Sequence, residues 1–299
     1  MQLGFAVVPE WDGMLLRTFL RQCAVSSDLA RAVKYRGDGF FVDGVPVHTT
    51  ACLRAGQNVT FSLPPEATAP TRPQPEIGLT AVYEDAFATM LEKPAGIAVH
   101  PTLNYPDGTL ANGWAARALR QGGSGVFRPV NRLDKNTSGL LLAAQNMYAA
   151  PLLAGHVQKL YYAVAEGEMP LGPGVFDGPI GRRGDSIIGR CVTPEGKPSR
   201  TEYTVLRAEN GCTLAACRPV TGRTHQIRVH FAHAGFPLAG DTLYGGHTGR
   251  IARHALHCAE MTFSVPEYRM EGGRVQLAVP LRYHTITCKS ALPADMEIL

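Results

Sequence analysis

A chain of 299 residues with 45% hydrophobic composition has ample apolar mass for a large core, and its length suggests about two domains. Charged residues make up 18%, below the roughly 25% of an ordinary soluble chain, so a disordered polyelectrolyte is excluded. A net charge of +4 fits a polyanionic partner without demanding one. The seven cysteines are odd in number, scattered and without C-x-x-C spacing, which argues against a disulfide framework or a zinc knuckle and for reduced thiols in a cytoplasmic protein.

The start, MQLGFAVVPEWDG, has no basic segment before a long apolar stretch, so no signal peptide is expected. No run approaches the roughly 20 apolar residues of a membrane span. Leu15, Leu16, Phe19 and Leu20 fall at helical spacing. Ser26 or Ser27 can cap a second helix with Leu29, Ala32 and Val33 on one face and Arg31 and Lys34 on the same short segment. Gly39–Val42 and Val45–Val47 flank Asp43-Gly44, a strong hairpin-turn dipeptide. The proline-rich stretch 64–77 reads as a linker between this unit, 1–63, and a catalytic-sized remainder, 78–285, followed by a tail, 286–299. In the remainder, 110–120 and 146–158 suggest helices, though Pro151 and Gly155 weaken the second. The segments 202–207, 213–217 and 224–231 suggest strands. Neither G-x-G-x-x-G after a strand nor G-x-x-x-x-G-K-[ST] is present, so nucleotide-cofactor chemistry lacks its usual signs.

Three constellations could carry chemistry. In Asn131-Arg132-Leu133-Asp134-Lys135-Asn136-Thr137-Ser138-Gly139, a polar loop lies between apolar segments read as strands, 126–130 and 140–144. Loops held by strand ends often present catalytic groups; the plainer reading of Asp134 is a turn or capping residue. In Thr224–Phe231, read as a strand, Ile227, Val229 and Phe231 share one face and Thr224, Gln226, Arg228 and His230 the other. Arg228 could then pair with a carboxylate and keep it ionised, or be a surface Arg with no partner. In Lys159-Leu160-Tyr161-Tyr162-Ala163-Val164, one tyrosine could stack on a base while the other packs. A metal site among His225, His230, His233, Asp241, His254 and His257 is disfavoured, because no H-E-x-x-H is present and strand geometry would send His225 and His230 to opposite faces. Ser138 lacks a G-x-S-x-G setting for a hydrolase.

Together these segments resemble the RluA-type pseudouridine synthases. The resemblance rests on Lys93-Pro94-Ala95-Gly96-Ile97-Ala98-Val99-His100-Pro101, Gly108–Asn112, Arg132-Leu133-Asp134 with Thr137–Leu140, Lys159-x-Tyr161-x-Ala163, Gly222–His230, Gly240-Asp241-x-Leu243-Tyr244-Gly245, and His254–His257, whose histidines it makes structural. Asn131 stands where such enzymes usually have His. The first unit, two helices and a hairpin, resembles the small RNA-binding domain first seen in a small-subunit ribosomal protein. The resemblance implies an α+β fold with a mixed, mostly antiparallel sheet, and isomerisation of uridines in structured RNA, rRNA or tRNA, with no cofactor and no metal. It implies Asp134 as the catalytic carboxylate, Arg228 as its ion-pair partner, and Tyr161 as the ring that stacks on the base. Arg132 would fill the gap left by the flipped base, with Asn131 beside it, and Arg31 and Lys34 would contact RNA from the first unit. A cytoplasmic monomer without an obligate protein partner is expected, and truncation of residues 1–77 should weaken RNA binding while leaving turnover. The rival reading is a non-catalytic RNA-binding protein on the same scaffold; the joint presence of Asp134, Tyr161 and Arg228 argues against it, since pure binding needs no carboxylate facing a polyanion.

Overall fold

The computed structural model describes residues 1–67, 71–103, 105–155 and 157–297; parts of the expected linker, second catalytic-unit helix and tail lie outside them. The chain opens with β1 (Gln2–Ala6), α1 (Leu16–Gln22) and α2 (Ser27–Arg36), then the hairpin β2 (Phe40–Val42) and β3 (Val45–Val47), then β4 (Asn58–Ser62). Ser26 caps α2, accepting from the Leu29 amide at 3.1 Å, and Leu29, Ala32 and Val33 are buried, as their spacing predicts. Asp43 and Gly44 both have positive φ, 49° and 81°, the conformation a tight two-residue hairpin requires.

This first unit does not close on itself. β1 pairs antiparallel with β4 on one side and parallel with Arg274–Leu277 on the other, and Tyr268–Glu271 completes a six-stranded sheet. The two outer strands come from far beyond the proline-rich stretch. Leu3, Phe5, Phe61, Phe87, Tyr148, Val275 and Leu277 then belong to one continuous core. The Tyr148 hydroxyl, deeply buried, donates to the Cys23 carbonyl at 2.9 Å, which ties the helix-bearing unit to the remainder.

The second sheet has nine strands. Their order is β5 (Thr80–Glu84), β6 (Ala88–Lys93), β7 (Ser138–Ala144), β14 (Leu256–Pro266), β8 (Gln158–Glu166), β13 (Cys212–Pro219), β12 (Arg200–Glu209) and β9 (Gly172–Asp177), with β17 (Tyr283–Lys289) also on β14. Only β7 and β14 run parallel; the other pairings are antiparallel, so the sheet is mixed and mostly antiparallel. A separate hairpin, β10 (Ile180–Arg182) with β11 (Arg190–Val192), projects between β9 and β12. The tyrosine-bearing β8 lies in the middle of the sheet. The strands Tyr268–Glu271 and Arg274–Leu277 are β15 and β16. Of the helices, α3 (Leu110–Arg120) fills its expected span, α4 covers only Ala149–Ala154 and packs on β7 and β14, and α5 (Gln226–His233) packs against β11, β12 and β13.

The expected strand at 224–231 is therefore corrected: it is the helix α5. Residues 226–231 are all buried, so no exposed face reveals a helical period, and the run of Ile227, Val229 and Phe231 imitates strand alternation. The stop signal was nevertheless present. Gly235 takes φ 85°, and the Phe236 amide donates back to the Phe231 carbonyl at 3.0 Å, a glycine-terminated helix end. The segment 126–130 is also no strand. Pro129 forms one isolated bridge to Ala143, and a proline has no amide to extend a ladder.

Candidate active site

Asp134 sits in the loop that enters β7, and that loop is pinned at nearly every residue. Asn131 accepts from the Leu142 amide at 2.8 Å, and the Thr137 amide donates to the Asp134 carbonyl at 3.1 Å. The Lys135 carbonyl accepts from both the Gly96 amide, 3.0 Å, and Lys93 Nζ, 2.8 Å. Thr137 Oγ1 meets His254 Nε2 at 2.8 Å and Ser138 Oγ meets His257 Nδ1 at 2.9 Å. Burial, the leading cause in each case, holds both histidines down at about 4, so they act as neutral hydrogen-bonding partners, a structural role. Gly139 has φ 104°, and a Cβ there would lie 2.2 Å from the Cys258 carbonyl; only glycine lets the loop join β7 so close to β14.

Lys93 is fully buried, and its ammonium donates to the carbonyls of Pro94, Ile97 and Lys135 at 2.8, 2.7 and 2.8 Å. Burial drags it down to about 7, with Asp134 opposing. Three acceptors suit three ammonium protons, whereas a neutral amine would turn its lone pair on a carbonyl, so the geometry favours the charged form. It fastens the K-P-A-G segment to the Asp134 loop.

Across from this loop, α5 delivers Arg228. Its Nη1 donates to Asp134 Oδ2 at 3.0 Å, while Nε and Nη2 grip Asp241 Oδ2 and Oδ1 at 2.7 and 2.8 Å. Asp241 is buried and Asp134 is partly open, so one guanidinium is shared between a buried anchor and a half-buried carboxylate. The sequence paired Arg228 with a carboxylate through strand alternation; the structure pairs them through a helix. Burial pushes Asp134 upward, but the surrounding His225, Arg228 and His254 bring it below its ordinary value; His254, held neutral by its own burial, adds no standing charge at neutral pH. Burial also depresses His225 itself, so at neutral pH that residue offers a dipole and Arg228 carries the charge that keeps Asp134 ionised.

Tyr161, on β8, is only 6% exposed. Burial foremost, then Cys258 and the Asp134 charge, raise its phenol well above the ordinary value, so it stays neutral beside the carboxylate. Arg132 is exposed and close enough to help burial depress His100, whereas Asn131 is buried with its Nδ2 unpartnered. Arg31 and Lys34 lie on the exposed face of α2, apart from this cluster in sequence and sheet. The sequence offers Asp241 and His225 only as disfavoured metal ligands and Tyr244 only as part of a motif; the motif around Gly240-Asp241 was the available signal. Among the described residues, no group of three or more His, Cys, Asp or Glu is arranged to hold a metal ion.

A family model described as RNA pseudouridylate synthase matches residues 88–233. The Bacillus subtilis protein YjbO, named an uncharacterized RNA pseudouridine synthase, is 34% identical over 258 residues, covering 85% of this chain and 91% of its own. The chain belongs to the RluA-type RNA pseudouridine synthases. Another member, the Xanthomonas campestris ribosomal large subunit pseudouridine synthase D, is 33% identical over 273 residues, 85% of this chain and 81% of its own. Among solved structures, human RNA pseudouridylate synthase domain containing 1 has 28% identity and a TM-score of 0.53, over 64% of this chain and 80% of that one. The pseudouridine synthase is thus an enzyme, an isomerase acting on RNA. Among the described residues, no helix is long and apolar enough to cross a membrane.

Proposed function

We propose that this synthase isomerises uridine in large-subunit ribosomal RNA with Asp134 as the reacting carboxylate. The observation that carries the reading is the shared guanidinium: Arg228, locked bidentately on buried Asp241, has one arm left for Asp134. That arrangement keeps Asp134 ionised and aimed, as a nucleophile or base requires. Each route from uridine begins at the Asp134 carboxylate, by attack on the base, by attack on the sugar or by removal of a ribose proton. The bond from ribose to N1 breaks, the uracil turns, C5 is joined to the ribose, and the C5 proton leaves. Extruding the base costs a few kcal/mol; exposed Arg132, two residues from Asp134, fills the space it vacates, and Tyr161 lines the floor against which the uracil stacks. Arg31 and Lys34 on α2 add phosphate contacts. No metal or organic cofactor enters this chemistry. The site as described calls for no group from a second chain, and a cytoplasmic monomer is the reading adopted. Ribosomal RNA is chosen over tRNA on the names of relatives such as the Xanthomonas enzyme.

Mapping pseudouridines in cells lacking the gene tests the assignment. At least one large-subunit site should vanish, and return with the wild-type gene but not with Asp134→Asn. An unchanged ribosomal map with a site lost from tRNA would overturn the substrate choice.

A further inference from the structure

His225 and Tyr244 lie outside the carboxylate–arginine pair but touch both of its members. His225 immediately precedes α5 in the left-handed region, φ 58° and ψ 20°, a conformation that a non-glycine residue holds only when its surroundings enforce it. The backbone turn brings the imidazole back over the loop, with Nε2 3.8 Å from Asp134 Oδ2, the oxygen that also receives Arg228. On the opposite edge of the ring, Nδ1 lies 2.8 Å from the Tyr244 hydroxyl. The same hydroxyl accepts from the Arg190 backbone amide at 3.0 Å. The Tyr244 ring meets the imidazole edge-on at 5.7 Å and carries the Arg228 guanidinium 5.0 Å from its centre.

The donors constrain the protons. An amide can only donate, so the Arg190 N–H occupies one of the two lone pairs on the Tyr244 oxygen. Of the groups described around that hydroxyl, only His225 Nδ1 can take the tyrosine's own hydrogen, which favours Nδ1 as its acceptor. A neutral imidazole that accepts at Nδ1 carries its proton on Nε2, facing Asp134. Burial, the leading cause, keeps His225 below its ordinary value; Asp134 and Asp241 push it up, and Arg228 and Arg190 push it down.

We propose that His225 and Tyr244 are positioning residues for Asp134. Tyr244, oriented by the β10–β11 hairpin through Arg190, sets the His225 tautomer so that a neutral N–H dipole and the Arg228 guanidinium converge on Oδ2. Oδ1, on which no described hydrogen bond ends, is left for the substrate. A neutral dipole steers the carboxylate without a second full charge that would blunt its nucleophilicity. This rests on Asp134 being the reacting carboxylate, but the tautomer itself does not.

The experiment therefore has two arms on the full-length enzyme. Nitrogen NMR of the histidine-labelled protein near neutral pH should show His225 with a bare Nδ1 and a protonated Nε2, and Tyr244→Phe should disturb that pattern. In single-turnover assays, Tyr244→Phe should lower the rate on the order of five- to tenfold, the loss expected for one hydrogen bond, with RNA affinity unchanged. Its acid limb should move to higher pH, because Nδ1 loses the donor that favours the neutral ring. His225→Gln, which can still present an N–H to Asp134, should retain more rate than His225→Ala. A protonated Nδ1 in the wild-type enzyme overturns the proposal even if the variants fail to fold, and so does a Tyr244→Phe enzyme with the wild-type rate and pH profile. If the tautomer is as stated but Asp134→Asn remains active, the proposed function fails instead.

Discussion

Arg228 serves two carboxylates of unequal burial, and its substitution therefore has two separable consequences. Arg228→Leu leaves Asp241 buried without its partner, a loss of about 3–5 kcal/mol by comparison with other broken buried pairs. It also removes the charge that opposes the upward push of burial on Asp134. The sign follows: a carboxylate held below its ordinary value contributes stability above the unfolded value, lost as pH falls through the folded one. Without Arg228 the Asp134 pKa rises, so the acid limb of the rate profile should move toward neutral pH. Arg228→Lys keeps a charge but not the fork that spans Asp134 and Asp241, so it should restore stability more fully than rate. Thermal melts and pH–rate profiles for both variants check this; an unshifted acid limb in Arg228→Leu contradicts it. The pair was legible in the sequence only through the family resemblance, which implied Arg228 as the partner of Asp134; residue types alone left Arg228 open between a carboxylate partner and none. Asp241 was not, because nothing local announces that a buried carboxylate thirteen residues downstream holds the same guanidinium.

Short elements packed on every side lose their periodic signal, and α5 shows the consequence. With Gln226, Arg228 and His230 buried as fully as Ile227 and Phe231, the polar residues look like one face of a strand, while hydrogen bonds to Thr201, Gly178, Asp134 and Asp241 satisfy them in the helix. The long and amphipathic elements were legible: α2 with its Ser26 cap, α3, and the Asp43-Gly44 hairpin all obey local rules. The same helix, α2, exposes Arg31, Lys34 and Arg36. If these reach phosphates, changing all three to Ala should weaken RNA binding and flatten the log–log salt dependence by about 0.7 to 0.9 per lost contact, with the saturated rate intact. Titrations at several salt concentrations decide it, and parallel slopes for variant and parent would exclude an RNA contact by α2.

Across the whole molecule, the proline-rich stretch does not separate two self-sufficient bodies. β1 depends on β16, and Phe87 and Tyr148 pack against groups of the first unit. Sequence reading had no access to this, since a parallel pairing between residues 3 and 275 leaves no local trace. Removing residues 1–77 should therefore expose Val275, Leu277 and Tyr148 and give an aggregating protein of lowered melting temperature. It should not give the weakly binding but active enzyme that a linker-separated unit would leave; a soluble truncated protein with the parent's melting point refutes this. Asp134→Asn carries no such liability, because Arg228 keeps its bidentate grip on Asp241. The decisive measurement is tritium release from substrate RNA labelled at uridine C5, with the full-length parent and Asp134→Asn compared at saturating RNA. The parent should release tritium with chelator present, while Asp134→Asn, folded and binding RNA as tightly, should release none above background. Turnover by Asp134→Asn near the parent's rate would contradict the account.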